Sequence, residues 1–505
     1  MLRKLLRFLS SRLVLFVLLI FIQLYIILQF FGGLPQPVHV ILGFIGFFIV
    51  MQLVNSKQNQ SYSIAWIIIV LLFPGVGPIV YLIFANKKVP KGLRNLNEQT
   101  DISPYKALPQ SKKVIDEIRH NDHSVFKQFN YVLYNGAFPV YENTRVDYYP
   151  VGEEKFDSML VELEKAEKYI FLEYFIIREG IMWNSILDIL IKKVKQGVDV
   201  RVMYDDLGTI SNLPPNYKKT LESYGIQVHV FNRLRPILLV QMNNRDHRKI
   251  LSIDGKVGFL GGINLGDEYV NKFERFGHWK DSAIKLEGQA VWSLTVMFLQ
   301  FWNSVHKIEE NIKRYNPHYK VDAKGLVQPY SDSPTDGETL GENIHLNIIN
   351  NSKRYLYIMT PYLIPSHEMI RMMILSSKNG IDIRIVVPHR PDKWYVHAIT
   401  KSNYRILIEN GIRVFEYTPG FIHSKNFLAD DKVGIVGSTN LDYRSYYLNF
   451  ESGALMYDSD AIVGLKDDFA KTFAESIEIT IEDVVNVPMY KRFIRAFIGM
   501  FSPLL

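Results

Sequence analysis

The 505-residue sequence contains no cysteine. This absence excludes disulfide bonds and metal sites built from thiolates. Acidic residues are also outnumbered, since 58 lysine and arginine residues against 51 aspartate and glutamate residues give a formal net charge of +7. A basic chain suits an anionic partner, which is either a nucleic acid or an anionic membrane. The chain is too long for one hydrophobic core and predicts two or three domains.

Three segments near the N-terminus lack charged residues, and they decide between these partners. They cover residues 13–31, 38–54 and 62–84. About twenty apolar residues span a bilayer as a helix, and further apolar blocks would not directly follow a cleaved signal peptide. The sequence therefore predicts an α-helical membrane anchor, with residues 1–33 as a first transmembrane helix and residues 38–84 as a helical hairpin. The expected partner is an anionic membrane and not a nucleic acid.

Basic residues flank the anchor on both sides. These are Arg3, Lys4, Arg7 and Arg12 before it, and Lys87, Lys88, Lys91 and Arg94 after it. The positive-inside rule places both clusters in the cytoplasm, which requires an even number of spans. Pro74 and Pro78 interrupt the third uncharged segment and favour a re-entrant or bent course. We therefore expect a multi-pass protein of the cell membrane with two full spans and the rest of the chain in the cytoplasm.

A pattern that occurs twice organises the rest of the chain. Its members are His247, Lys249, Asp254 and Asn264 in the first copy and His423, Lys425, Asp430 and Asn440 in the second. Residues two apart on a strand face the same side, so the histidine and lysine of each copy should point together. A hairpin turn after that strand can return the asparagine beside them.

Two such copies facing each other form a site suited to phosphodiester chemistry. Two lysines and two asparagines can surround phosphate oxygens and stabilise developing negative charge. One neutral histidine can attack phosphorus and form a covalent intermediate. The other histidine, when protonated, can donate to the leaving oxygen and later deprotonate an incoming alcohol. A metal ion is not expected, because the ammonium two residues from each histidine repels it, and the chemistry requires no cofactor.

The two aspartates of the pattern have two possible roles. Asp254 and Asp430 are catalytic candidates as members of the pattern, yet each lies about 20 Å along an extended strand from its histidine. Turn chemistry instead predicts that they cap turns or form salt bridges. Asp281 and Glu451 follow the two motifs at comparable distances. We expect each of them to orient the histidine of its own copy.

The duplicated pattern resembles the signature of the phospholipase D superfamily, HxK(x4)D(x6)G[GS]xN, over residues 135–505. The membrane hairpin, Arg245 before the first histidine and the final Ser-Pro-Leu-Leu are similar to those of bacterial cardiolipin synthases. The resemblance implies that one phosphatidylglycerol donates and a second accepts a phosphatidyl group, giving cardiolipin and glycerol through a phosphohistidine. His247 is the expected nucleophile and His423 the acid and base. Alternatives are a membrane-anchored hydrolase, either a phospholipase or a nuclease, and a non-enzymatic membrane adaptor.

Alternating strand and helix segments predict an α/β fold. With the superfamily resemblance, they predict two pseudo-symmetric phospholipase D-like halves, each a mixed sheet flanked by helices, after the α-helical membrane anchor. A polar segment over residues 85–135 predicts a linker with short helices, one of them over residues 111–119. Residues 136–325 then form the first half around His247, and residues 326–505 form the second half around His423.

Three other segments have distinctive patterns. Residues 288–305 are rich in aromatic side chains at helical spacing and predict core between the halves. Residues 232–242 form an apolar insert that either covers acyl chains or packs as core. Residues 489–501 combine basic and apolar side chains and predict either an interfacial amphipathic helix or a helix docked on the body. The sequence leaves the oligomeric state open.

Overall fold

The computed structural model describes residues 35–56, 59–85, 107–234, 243–308 and 310–502, together with isolated positions before residue 35. The predicted first transmembrane helix and most of the apolar insert lie outside these residues. The described part is an α/β structure with two mixed sheets, preceded by apolar helices.

Nine strands belong to the first half. They are β1 (Thr144–Tyr149), β2 (Tyr169–Tyr174), β3 (Asp199–Asp205), β4 (Gln227–Phe231), β5 (Arg245–Asp246), β6 (Lys249–Ile253), β7 (Val257–Gly261), β8 (His278–Lys280) and β9 (Ala283–Gly288). Seven of them form one sheet in the order β1-β9-β7-β6-β2-β3-β4. The pairs β2–β3 and β3–β4 are parallel and the other pairs are antiparallel. The short strands β5 and β8 pair instead with strands of the second half.

The second half repeats this plan. Its strands are β10 (Leu326–Asp332), β11 (Tyr355–Met359), β12 (Asp382–Pro388), β13 (Arg413–Tyr417), β14 (Gly420–Ile422), β15 (Asn426–Ala429), β16 (Val433–Gly437), β17 (Asn449–Tyr457) and β18 (Ser476–Ile479). Their order is β10-β17-β16-β15-β11-β12-β13-β18, so β18 is an addition to the order seen in the first sheet. The predicted fold of two pseudo-symmetric α/β halves is confirmed.

Helices cover the sheets and form the anchor. They are α1 (Gln36–Val54), α2 (Gln60–Leu72), α3 (Gly77–Phe84), α4 (Lys112–Asn121), α5 (His123–Gly136), α6 (Gly152–Glu164), α7 (Ile181–Lys195), α8 (Asp206–Thr209), α9 (Tyr217–Ser223), α10 (Val291–His306), α11 (Leu340–Asn351), α12 (His367–Lys378), α13 (Trp394–Ile408), α14 (Tyr443–Tyr447), α15 (Ala461–Ala474), α16 (Ile481–Val485) and α17 (Met489–Gly499). In both halves a helix connects the first two parallel strands, α7 between β2 and β3 and α12 between β11 and β12, as the strand–helix alternation predicted.

Helix α10 joins the two halves through its aromatic side chains. The ring of Phe298 stacks on Phe171 of β2, with centroids 4.8 Å apart. Phe301 meets Phe450 of β17, with centroids 5.0 Å apart. Both faces of α10 are therefore buried, one against each half, and the prediction of core between the halves is confirmed.

The segment after residue 107 contains the helix predicted over residues 111–119, as α4, and it packs on the body more closely than a linker would. Helices α4 and α5 bury Val114, Ile118, Phe129 and Val132, and these side chains belong to the same hydrophobic core as the second half. Val114 and Ile118, and likewise Phe129 and Val132, are three or four residues apart, which places each pair on one helix face. This spacing outweighs the surrounding charges, so the described part of the predicted linker belongs to the packed body.

Each copy of the repeated pattern forms a hairpin whose turn is capped by its aspartate. Asp254 has a left-handed φ of 54°. Its carboxylate accepts hydrogen bonds from the backbone N–H groups of Glu167, Lys168 and Tyr169, each 2.8 Å away. Asp430 accepts from the equivalent N–H groups at the start of β11. Because Asp254 and Lys249 lie at opposite ends of β6, the structure places these aspartates at turns, away from the imidazoles.

The apolar helices at the N-terminus match the predicted hairpin in part. Helix α1 is long and apolar enough to cross a membrane, whereas α2 is a shorter apolar helix. The third uncharged segment breaks between α2 and α3, where Pro74 and Gly75 lie, as predicted. A Cβ atom on Gly77 would lie 2.6 Å from the carbonyl oxygen of Ile69, so only glycine permits this close return of the chain.

The anchor docks on the second half. Tyr62 of α2 stacks on Tyr443 of α14, with centroids 5.6 Å apart and planes 3° from parallel. Asn59 Nδ2 donates to the hydroxyl of Tyr447, which in turn donates to Glu342. Helix α14 directly follows the second copy of the pattern. The anchor is therefore attached to the body close to that copy.

Removing the turn cap should destabilise the first half. We expect Asp254→Ala to lower the free energy of unfolding by about 3 kcal/mol, because three N–H donors, of which that of Tyr169 is buried, lose a charged acceptor. Thermal unfolding of the protein in detergent measures the change. Asp254→Asn, which keeps one acceptor oxygen, should cost less. Equal stability of Asp254→Ala and the unmodified protein would contradict the capping role.

Removing the aromatic contact should loosen the anchor. We expect Tyr62→Ala to lower the stability of the full-length protein in detergent by about 3 kcal/mol, because a large buried ring leaves a cavity. Ile64→Ala is the matched control, since Ile64 lies on the same helix and is exposed. If the two substitutions have the same effect on the unfolding temperature, the stacked rings do not hold the anchor.

Candidate active site

His247 lies between a strand shared with the second half and a strand of its own sheet. It follows β5, which pairs in parallel with β17, and it precedes β6. Its backbone N–H donates to the carbonyl of Phe450, 2.9 Å away. Its Nδ1 lies 2.9 Å from Oε2 and 3.0 Å from Oε1 of Glu451. The second half therefore fixes both the backbone and the ring of the first histidine.

His423 is held by the first half in the same way. It follows β14, which pairs in parallel with β8. Its backbone N–H donates to the carbonyl of Lys280, 2.6 Å away, and its Nδ1 lies 2.6 Å from Oδ2 of Asp281. The two histidine–carboxylate pairs thus cross between the halves.

The sequence predicted the orienting carboxylates correctly as a set but paired them wrongly. Asp281 contacts His423 and Glu451 contacts His247, whereas each was expected beside the histidine of its own copy. The reason is that β5 and β14 extend from their own halves to pair with strands of the other half. Strands of two or three residues are too short to show a hydrophobic periodicity, so the sequence gives no sign of this exchange.

Each imidazole has one nitrogen left for chemistry. When Nδ1–H is donated to a carboxylate, the lone pair of a neutral ring lies on Nε2. His247 is 9% exposed and His423 is 8% exposed, so both rings are nearly enclosed. The edge of Phe175 meets His247, with centroids 5.0 Å apart, and Trp279 lies 5.4 Å from His423. These aromatic walls exclude much of the water around the rings.

The two lysines are buried beside the histidines. Lys249 and Lys425 each donate to the backbone carbonyl of the histidine two residues earlier. Nζ of Lys425 also lies 2.8 Å from Nδ1 of His423. The predicted grouping of histidine and lysine within each copy is therefore present.

The electrostatics show that both copies share one site. Burial, then the charges of Lys249 and Lys425, hold the pKa of His247 well below its usual value. Burial, then Lys425 and more weakly Lys249, lower the pKa of His423 to about 4. Each imidazole therefore responds to the lysines of both halves. Both rings are neutral at neutral pH in the absence of an anion.

The protonation of the two lysines depends on whether an anion is bound. Burial lowers the pKa of Lys249 to about 7, although Glu451 opposes this change. Burial lowers the pKa of Lys425 to about 8, against the opposing charge of Asp281. A bound phosphate group favours the protonated form of both lysines, because opposite charges at short range stabilise each other.

The two carboxylates differ in their charge state. Burial raises the pKa of Glu451 to about 7, although Lys249 and Ser438 oppose this change. Burial also acts to raise the pKa of Asp281, but Lys425 and His423 outweigh it and the pKa is lowered. Asp281 is therefore ionised at neutral pH, while Glu451 titrates there.

The glycine or serine position of the motif explains part of this difference. A Cβ atom on Gly262 would lie 2.1 Å from Oδ1 of Asp281, so the first copy has no room for a side chain. Ser438 occupies the same position in the second copy, and its hydroxyl donates to Oε2 of Glu451 at 2.5 Å. Each motif thus contacts the carboxylate of its own half, while that carboxylate contacts the histidine of the other half.

The two asparagines follow the returning strands β7 and β16, as predicted. Oδ1 of Asn264 accepts a hydrogen bond from the backbone N–H of Ile176. The backbone N–H of Asn440 donates to the hydroxyl of Ser445, and its Oδ1 is buried without a hydrogen-bond partner among the described residues. The Asn264 side chain is thus fixed by the backbone.

A network of buried ion pairs supports the connection before His247. Arg245 contacts Asp205 at the end of β3, with 3.4 Å between Nη1 and Oδ1. Arg248 contacts both Glu173, at 2.5 Å, and Asp246, at 3.0 Å. Sequence reasoning noted Arg245 only as a point of resemblance and missed the rest. A charged residue within a buried strand, such as Glu173 in β2, is the signal that could have identified them.

No three histidine, aspartate or glutamate side chains in the described ranges are grouped so that they could hold a metal ion. The cationic lysine beside each histidine also disfavours a metal ion at these rings. The donors that the site offers are imidazole, ammonium and amide groups, which suit an anionic phosphodiester.

Comparisons with known proteins agree with this arrangement. A family model described as the cardiolipin synthase, phospholipase D-like domain matches residues 159–284 and 345–473, one stretch in each half. A second model, the phospholipase D-nuclease N-terminal region, matches residues 41–86. The latter segment covers most of α1 and all of α2 and α3.

Relatives match over almost the whole chain. An uncharacterized protein of Streptococcus mutans is 42% identical over 90% of this chain and 99% of its own length. The major cardiolipin synthase ClsA of Bacillus subtilis is 32% identical over 89% of this chain and 95% of its own. A cardiolipin synthase of Geobacillus is 33% identical over 94% of both chains.

Among solved structures, the phosphatidylserine synthase of Haemophilus influenzae shares the fold. The match has a TM-score of 0.56 at 17% identity and covers 75% of this chain and 97% of that one. The predicted resemblance is thus confirmed by family model, relatives and fold. The chain belongs to the cardiolipin synthase family of the phospholipase D superfamily, a family of membrane-associated phosphatidyltransferases.

Proposed function

We propose that the protein transfers a phosphatidyl group from one phosphatidylglycerol to a second, giving cardiolipin and glycerol. The observation that carries the proposal is the crossed site, in which two oriented imidazoles share two buried lysines. The relatives named as cardiolipin synthases support the choice of substrate. Exchange of one phosphodiester for another needs neither a nucleotide nor a redox cofactor.

The first half of the reaction forms a covalent intermediate. Nε2 of His247 attacks the phosphorus of the first phosphatidylglycerol, and the bond to the glycerol oxygen breaks. His423, protonated once the anionic substrate is bound, donates a proton to that oxygen, and glycerol leaves. The phosphatidyl group is then bound to His247, and His423 is neutral.

The second half regenerates the enzyme. A terminal hydroxyl of the second phosphatidylglycerol attacks the phosphorus while His423 takes its proton. The bond to His247 breaks, and cardiolipin leaves. Lys249, Lys425 and the amides of Asn264 and Asn440 stabilise negative charge on the phosphoryl oxygens in both steps.

The environments of the two rings support this division of roles. His423 faces Asp281, whose low pKa keeps it ionised, and this carboxylate stabilises an imidazolium. His247 faces Glu451, whose pKa is about 7 and which is therefore only partly ionised at neutral pH, and burial with the nearby lysines lowers the pKa of His247 itself. His247 therefore stays neutral more readily, as a nucleophile must, and His423 is the better acid.

The membrane arrangement forms part of the proposal. Two full spans place the basic residues on either side of the anchor in the cytoplasm, and the catalytic halves with them. Helix α1 is one such span by length and composition. The docking of α2 on α14 is consistent with an active site close to the bilayer that supplies both lipids.

Product analysis tests the reaction. We expect the purified protein, incubated with phosphatidylglycerol vesicles, to release one glycerol per cardiolipin formed. His247→Ala should lower the rate at least about a thousandfold, because the covalent route is lost. Phosphatidic acid in place of cardiolipin would identify a hydrolase, and an unaltered lipid composition would favour a membrane adaptor. Cleavage of nucleic acid would contradict the lipid specificity.

A substrate with a good leaving group tests the roles of the histidines. We expect His423→Ala to release p-nitrophenol from phosphatidyl-p-nitrophenol in a burst, because this leaving group needs no protonation. The phosphatidyl group should then be trapped on His247, where mass spectrometry can locate it. His247→Ala should give no burst. A burst from His247→Ala with the label on His423 would reverse the assignment.

The pH profile tests the role of Glu451. Ionisation of Glu451 strengthens its bond to Nδ1–H, so the burst rate should rise with pH through about 7. Ser438→Ala removes a hydrogen-bond donor that lowers the pKa of Glu451. The midpoint of the increase in burst rate should therefore shift to a pH about one unit higher. Ser452→Ala is the control, since its hydroxyl has no hydrogen-bond partner among the described residues. An unchanged midpoint in Ser438→Ala would contradict the assignment.

A further inference from the structure

Helix α17 presents an apolar stripe to its surroundings. None of its side chains is buried against the described part of the chain. Met489 is 84% exposed, Phe493 is 71% exposed and Phe497 is 52% exposed. These residues are four apart and therefore lie along one side of the helix, with Tyr490 beside them at 62% exposure. Such a stripe in contact with water is unfavourable, so it requires a covering partner.

The charges of α17 are all positive. Lys491, Arg492 and Arg495 are its charged residues, and it contains no acidic residue. Arg495 is half-buried against the body, whereas Lys491 and Arg492 are exposed on either side of the face that Arg495 occupies. A helix with an apolar stripe bordered by exposed cations fits the interface of an anionic membrane.

Helix α17 is connected to the anchor through neighbouring helices. It packs along α13, whose first residue, Trp394, is 70% exposed. The next residue, Tyr395, acts electrostatically on Arg444 of α14. Helix α14 in turn stacks on the anchor through Tyr443. Packing and electrostatic interactions therefore connect α2 through α14 and α13 to α17.

The start of α13 also lies close to the active site. Asp392, two residues before this helix, accepts a hydrogen bond from the hydroxyl of Tyr362 at 2.6 Å. Its charge also acts on Lys425. The exposed aromatic residue at the start of α13 is thus near the side of the site formed by the second half.

We propose that α17 and the start of α13 form a membrane-binding surface, the C-terminal shelf. The shelf consists of Trp394, Met489, Tyr490, Phe493 and Phe497. Its apolar side chains insert among the upper acyl chains of an anionic bilayer, and Lys491 and Arg492 contact lipid phosphates. The occupant is a bilayer because the charged residues of α17 are all cations and because packing and electrostatic interactions link this helix to the anchor.

The shelf gives the catalytic body a second contact with the bilayer. The anchor alone fixes one point, about which the body can tilt. A second contact beside the start of α13 limits that tilt and keeps this side of the site near the lipid head groups. This inference concerns the membrane geometry, so it stands or falls independently of the transfer reaction.

Single-cysteine labelling tests the shelf directly, since the natural chain has no cysteine. The full-length Phe493→Cys variant is labelled with the fluorophore NBD and reconstituted into phosphatidylcholine vesicles with phosphatidylglycerol. Lipids with a nitroxide high on the acyl chain serve as quenchers. We expect a blue-shifted emission and several-fold quenching. The control is Val463→Cys, because Val463 is 64% exposed on α15, which packs against strands of the body; its label should remain in water.

The charge of the shelf provides a second measurement. Lys491→Gln combined with Arg492→Gln should reduce quenching at Cys-labelled position 493, and omission of phosphatidylglycerol should do the same. Equal, low quenching at positions 493 and 463 would overturn the proposal. So would a blue shift that persists in detergent and disappears on dilution, because that result would identify a second copy of the chain as the occupant.

Discussion

The structure depends on the exchange of two hydrogen bonds between its halves. His247 contacts Glu451 and His423 contacts Asp281, and each ring is brought there by a short strand that pairs with the other half. Helix α10 fills the interface behind these strands with aromatic side chains. The packing of the core and the alignment of the reactive nitrogens therefore have a common origin, because neither half can shift without moving the imidazole of the other.

The site also buries its two imidazoles and two lysines without enough negative charge to balance them. The imidazoles and lysines have lowered pKa values because burial disfavours their charged forms. An anionic phosphodiester supplies the missing negative charge and favours protonation of the lysines and of one histidine. The site thus gains its full electrostatic strength only with substrate present, which suits a reaction whose charge develops on phosphoryl oxygens.

Much of this architecture was predictable, and the errors have physical causes. The strand–helix alternation, the break at Pro74 and the aromatic core helix all leave local patterns, because periodicity and proline chemistry act over a few residues. The motif also identified the histidines and the lysines, and the residues that follow it included both carboxylates that contact the imidazoles. It could not pair Asp281 with His423, since that contact depends on strands too short to show a period. A helix near residues 111–119 was predicted, but the packing of α4 and α5 on the body was missed because exposed charges hid a narrow apolar face. The ion pairs around Arg248 leave no local pattern.

The crossed arrangement also has a consequence for how this chain can change over time. Each half carries the support for the other half's reactive ring, so neither can accumulate alterations around its own motif in isolation. The serine at position 438 and the glycine at position 262 illustrate this, because each is matched to a carboxylate of different length that serves the opposite histidine. The two repeats therefore limit each other's divergence, because a substitution in one repeat is tolerated only where the geometry of the other repeat accommodates it.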